Sequence, residues 1–160
     1  MKKTSSTPKV KKPADIPTHM KVFNLVALRV FDQLYDAFPM PIEIIPKSIS
    51  AELDAGSAPC DEAFKLTAIA DNTLRWLEAE GFLRHSSSGF EGGIFYQVQL
   101  TLKGLTVLNW VPRSVTKNEE PEAVIKKIKR VLSAGINQAD DEAVKSVLDE
   151  VLKIAFNASV

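Results

Sequence analysis

Few residues of this 160-residue chain could do covalent chemistry. Cys60 is the single cysteine, and His19 and His85 are the two histidines. A thiol and an imidazole act together only within hydrogen-bond reach, with a third group holding the ring. Here Cys60 falls in a loop ahead of a helical stretch, His85 falls beyond its far end, and no third group is indicated. The same residues give no metal-ligand spacing, and Gly92 and Gly93 do not form a phosphate loop ahead of a helix. The expectation is therefore a protein that is not an enzyme and has no metal and no cofactor. What remains is recognition chemistry. Lys65, Ala68, Asn72, Arg75 and Ala79 recur at helical steps and make a face free to touch something, while Leu66, Ile69 or Ala70, Leu74 and Leu77 line the face that packs.

The elements that must position that face follow from periodicity. Residues 1–17 hold five lysines and three prolines and little that could enter a core, which reads as a disordered basic tail. From Thr18, placed as an N-cap, Met20, Phe23, Ala27, Val30, Phe31, Leu34 and Phe38 recur at three and four residue steps, so a helix should run until Pro39 and Pro41. IEII, between those prolines and Pro46, suits a brief strand, and Ser48 is placed to cap a short helix. After the loop GSAPCDE, a helix from about Asp61 should end at Gly81. Phe82 to His85 and Ile94 to Leu100 read as the arms of a hairpin with SSSGFEGG at its tip, and Thr101 caps a helix that returns Leu102, Leu105 and Leu108 to the core. Residues 114–120 read as a linker. Residues 121–160 read as two amphipathic helices joined at Gly135 to Ala139, with Pro121 in a first helical turn.

The order is helix, strand, helix, helix, hairpin, helix. With it, TLRWLEAEGFLR, in which Leu74, Leu77, Gly81 and Phe82 lead into a strand, and the LTxKG phrase from Leu100 to Gly104 resemble the winged helix-turn-helix superfamily over about Thr18 to Pro112. The expected fold class is mainly α with a small β-hairpin (α+β): a winged helix-turn-helix core over residues 18–113, followed by the C-terminal helical pair. The resemblance implies a third helix for the major groove and a hairpin for the adjoining backbone. On it, the residues expected to contact double-stranded DNA are Lys65, Asn72 and Arg75 on the helix and Arg84, His85 and Ser87 on the wing. Asn and Arg can read adenine and guanine edges by paired hydrogen bonds. The implied function is a DNA-binding transcriptional regulator of bacterial or phage type, acting as a homodimer.

Charge gives this reading a rival. The chain carries 20 Lys+Arg against 20 Asp+Glu, and from Asp61 to His85 there are five acidic residues and three cationic ones. Since neutralised phosphates supply most non-specific affinity, so acidic a stretch suits equally a winged-helix adaptor that binds a protein partner without DNA. Asn72 and Arg75 then read as solvated residues, with Asp71 and Arg75 an exposed pair, and Trp76 reads as packing. The lysine tail serves either an anionic partner or solubility alone, and KKIKR at Lys126 to Arg130 is a solvated surface. Val124, Ile125, Ile128, Val131, Leu132, Val144, Val147, Leu148, Val151, Leu152, Ile154 and Phe156 need covering, either by a second copy in a dimer or by folding back onto Val22, Leu25 and Val26. One cysteine and no apolar run of spanning length point to a cytoplasmic protein without membrane contact.

Overall fold

The structure, a computed structural model, describes residues 16–89, 93–112 and 120–158. Most of the lysine tail, the hairpin tip at Phe90 to Gly92 and most of the linker lie outside the described residues. The fold is mainly helical with a small antiparallel sheet.

Helix α1 (Thr18–Ala37) forms the centre. It packs against α2, α3, α4, α5, α6 and β4, and Val26, Ala27, Leu28 and Val30 on it have no exposed surface. A helix buried on so many sides is apolar beyond one stripe, as its LVAL run shows. Thr18 is not its cap: the cap position is Pro17, whose carbonyl accepts from the amides of Met20 and Lys21, and no side chain caps the end. Strand β1 (Ile42–Ile44) follows, then α2 (Pro46–Asp54). This helix starts two residues before Ser48 because Pro46 occupies the first helical position, where a missing N–H costs nothing.

Helix α3 (Cys60–Ala79) ends as the glycine demands. Gly81, at φ +82°, gives its amide to Glu78, and the amide of Phe82 reaches back to Leu77, so the last carbonyls are satisfied and Phe82 turns into the core beside Leu77. The hairpin follows as β2 (Leu83–Arg84), β3 (Ser87–Ser88) and β4 (Phe95–Leu100). Strand β4 pairs antiparallel with each of the other three, in the order β1-β4-β2 with β3 also on β4. The FYQVQL alternation does not hold through β4. Ile42 pairs with Val98 but Ile44 with Phe95, and Gln97 sits at φ +53°. The extra residue is a bulge that returns Phe95 to the face of Val98 and Leu100, and all three are buried.

Helix α4 (Leu102–Asn109) is capped by Thr101, whose Oγ1 accepts from the amide of Gly104 at 3.1 Å and lies 2.5 Å from the carbonyl of Gly81. A Cβ on Gly104 would stand 2.2 Å from the carbonyl oxygen of Phe82, so the glycine of the LTxKG phrase is required by contact between the helix and the preceding turn. Of the three leucines expected in the core, Leu108 is buried and Leu105 packs against it partly buried, but Leu102 is 82% exposed and Val107 makes the further buried contact.

The C-terminal pair is α5 (Val124–Leu132) and α6 (Asp141–Ala158), joined through a single 3-10 turn at Ile136–Gln138. Pro121 precedes α5 and is not in its first turn. Both helices fold back onto α1, on which Val22, Leu25 and Val26 are buried, so of the two expected ways of covering them it is the fold-back that the chain adopts. Ile125, Ile128, Val144, Leu148 and Val151 share one apolar cluster with the residues of α1, α3 and the sheet. Lys129 bridges Asp32 and Asp36 of α1, both at 2.6 Å, and Lys21 meets Asp141 at 3.2 Å. Burial works against the Lys129 charge, but hydrogen bonds and attraction from the two carboxylates more than offset it and raise its pKa.

Candidate functional site

The outward stripe of α3 runs through Asp61, Phe64, Lys65, Ala68, Asn72, Arg75 and Ala79, since positions three and four apart share a face. Its opposite side packs Ala70, Leu74 and Leu77 against the core, and α2 buttresses it. Ser50 of α2 and Thr67 of α3 join their hydroxyls at 2.9 Å between the two helices. This holds the first turns of α3 firmly while leaving their outer side bare. Phe64 is 72% exposed there, flanked by exposed Asp61, Glu62 and Lys65.

Lys65 and Asn72 lie on the exposed side, with the Asn72 amide donating to the carbonyl of Ala68 at 2.8 Å. Arg75 is engaged within the molecule. Its Nε donates to Asp71 at 2.8 Å, its Nη1 lies 3.4 Å from the Ser88 hydroxyl, and its guanidinium sits 5.2 Å from the centre of the Phe95 ring. The pair of Asp71 and Arg75 exists, but Asp71 is buried, so it is not an exposed pair. A buried carboxylate needs such a partner far more than a solvated one does.

The wing residues are similarly committed. Arg84 donates from Nη2 and Nε to Gln99 Oε1, at 2.8 and 3.3 Å, and the Gln99 amide donates onward to the carbonyl of Pro39. His85 leaves 9% of its side chain exposed, with its ring edge on to Phe95 and its Nε2 2.7 Å from a Glu78 carboxylate oxygen. With Nε2 as the donor, the buried Nδ1, which has no hydrogen-bond partner, is left as an acceptor. Ser87 is exposed and pairs across the hairpin with Tyr96. Of the six residues expected to contact DNA, then, Lys65, Asn72 and Ser87 line the outer surface, Arg84 is exposed with two donors directed to Gln99 along the sheet, and Arg75 and His85 fasten the wing to α3.

Trp76 packs as expected, edge on to Phe23 at 5.3 Å and stacked near Phe82 at 6.4 Å. Cys60 opens α3, while the Glu78 that holds His85 lies in its last turn, about 27 Å away along the axis at 1.5 Å per residue. A thiol and imidazole at that separation cannot exchange a proton. Among the described residues no cluster of three or more His, Cys, Asp or Glu is arranged to hold a metal ion, and no helix is long and apolar enough to cross a membrane.

Phe64 is the feature that the sequence reading passed over. Its helical angle was legible, since it shares a face with Ala68 and Asn72, but an isolated phenylalanine is ordinarily assigned to the packed side. No protein-family model, no curated protein and no solved structure matches this chain.

Proposed function

We propose that the chain is a winged-helix adaptor whose α3 face docks a protein partner carrying cationic side chains around an apolar pocket. The element order, the central place of β4 in the sheet, the Gly81 stop and the Thr101 and Gly104 contacts support the winged-helix reading. The observation that carries the choice of partner is Phe64, bare on the first turns of α3 between Asp61, Glu62 and Lys65. An exposed aromatic inside an acidic rim is the anatomy of a protein contact, with one anchor and polar edges. Phosphates would meet repulsion at the same place, and Arg75, further along the same stripe, is paired with Asp71.

The second reading, a DNA-binding regulator, is favoured by Lys65 and Asn72, which do lie outward on α3. Fluorescence anisotropy of the full chain with random duplex DNA at two salt concentrations separates the two. The adaptor reading expects no binding that falls steeply with salt. Tight binding that collapses at the higher salt replaces it with the DNA reading. Selection from a displayed peptide library is the positive arm: bound peptides should be rich in Lys or Arg beside apolar residues, and Phe64→Ala should release them.

A further inference from the structure

We propose that the lysine-bearing segment 9–15 of this chain docks into the groove along the outer face of α6. The inference is independent of the reading of α3. The groove is a hollow of about 700 Å³ lined by Ile16, Glu142, Lys145, Asp149, Glu150 and Lys153. A smaller depression with Leu152, Phe156 and Asn157 shares Asp149 and Lys153 with it, so one face of α6 is open from Glu142 to Asn157. Phe156 stands near the end of that face, 73% exposed.

Three observations choose this occupant. The first is continuity. Ile16, the first described residue, already lines the groove, and Lys21, one turn into α1, meets Asp141 at 3.2 Å, so the chain enters α1 beside the first turn of α6. The residues just before Ile16 are therefore at the groove by covalent connection, at an effective concentration in roughly the millimolar range. The second is charge. Residues 1–15 hold five lysines and one acidic residue, Asp15, which leaves 15 cationic and 19 acidic residues for 16–160. Of the acidic residues lining the groove, Asp149 meets Lys145 at 2.7 Å and Glu150 meets Lys127 at 3.1 Å, both partly exposed with lone pairs left for a further donor. Glu142 is exposed, with no cation at ion-pair distance among the described residues.

The third is reach. An extended chain advances about 3.3 Å per residue, so from Ile16 Lys12 lies about 13 Å out and Val10 about 20 Å. Along α6, at about 1.5 Å per residue, Asp149 and Glu150 stand about 11 and 12 Å beyond Glu142, and Phe156 about 21 Å beyond it. Lys12 thus comes level with the two carboxylates, and Val10 with the bare phenylalanine. Docked there, the lysines are engaged within the chain, and a polyanion has to displace them before it can use them.

A carbodiimide, which joins an amine to a carboxylate only where the two touch, tests this on the full chain, with isotope-labelled and unlabelled copies mixed. Mass spectrometry should find Lys9, Lys11 or Lys12 joined to Glu142, Asp149 or Glu150 within single copies. The yield should fall several-fold in about 1 M salt, where charges are screened beyond about 3 Å. Amide spectra of the wild type and of a variant carrying Lys9→Gln, Lys11→Gln and Lys12→Gln should differ along 142–157 and not on α3. Links from those lysines to Asp61 or Glu62 in comparable yield, links between labelled and unlabelled copies, or spectra that coincide on α6 overturn the proposal.

Discussion

The C-terminal pair and the first turns of α3 are both amphipathic, and the chain treats them in opposite ways. Helices α5 and α6 carry the heavier apolar load, yet Val124, Ile128 and Val151 have no exposed surface because α1 lies against them. Helix α3 carries one aromatic residue on its outer stripe, and none of the described residues buries it. Apolar content therefore does not mark an interface; the absence of a cover does. The charged groups follow the same division. Lys129 and Lys21 clamp the C-terminal pair to α1, while around Phe64 the acidic side chains face outward.

Four substitutions sharpen or break that contrast. The largest effect should come from Ile128→Ala, which empties a fully buried site between α5 and α1 and should cost about 2 to 5 kcal/mol in denaturant unfolding. A cost below about 1 kcal/mol would mean that the pair is not part of the core. Arg75→Ala should come next, at about 1 to 3 kcal/mol, because it takes the ion-pair partner from buried Asp71 and a strut from the wing. It also means that a loss of binding in this variant is not by itself proof of contact; an unchanged melting temperature would show that Arg75 is dispensable to the fold.

Lys129→Met should cost less, up to about 1 kcal/mol, since the clamp is partly solvated. Its sign with pH is set by the raised pKa of Lys129. The folded state holds this proton more tightly than the unfolded chain does, so the stabilisation is fully present below the ordinary lysine value of 10.5 and is lost as pH rises through the higher folded value. Wild-type and Lys129→Met melting temperatures should therefore converge in that alkaline range; a constant gap would dissociate the clamp from the proton. The smallest effect on stability should be that of Phe64→Ser, within about 0.5 kcal/mol, together with loss of peptide binding. A marked destabilisation would show that Phe64 is covered after all.

The local signals proved dependable where their partners lie within a few residues. The Gly81 stop closes on Leu77 and Glu78, the Thr101 cap on Gly104, and the prolines end α1 where they should. The cap assignments failed where a proline set the start instead: Pro17 takes the cap position of α1, and Pro46 takes the first helical position of α2 with Ile45 as its cap. The site was less legible. That Arg75, Ser88 and Phe95 meet depends on the hairpin folding back onto α3, and that Phe95 faces inward at all depends on a bulge at Gln97. Neither leaves a mark on the alternation of the sequence. His85 is polar by type but buried by the same fold-back, with Glu78 as its partner seven residues earlier.

By itself the sequence determined the kind and order of the elements, because a helix or strand is set by periodicity, caps and breakers that act over one or two turns. It also determined that two apolar helices at the C-terminus must be covered. Tertiary structure alone decided by what. Helix α6 meets α1 across more than one hundred residues of chain, and hydrophobic burial is non-directional, so an apolar stripe specifies that it must leave water without specifying against which surface. The same indifference left Phe64 bare, on the side of α3 away from the one that packs Ala70, Leu74 and Leu77.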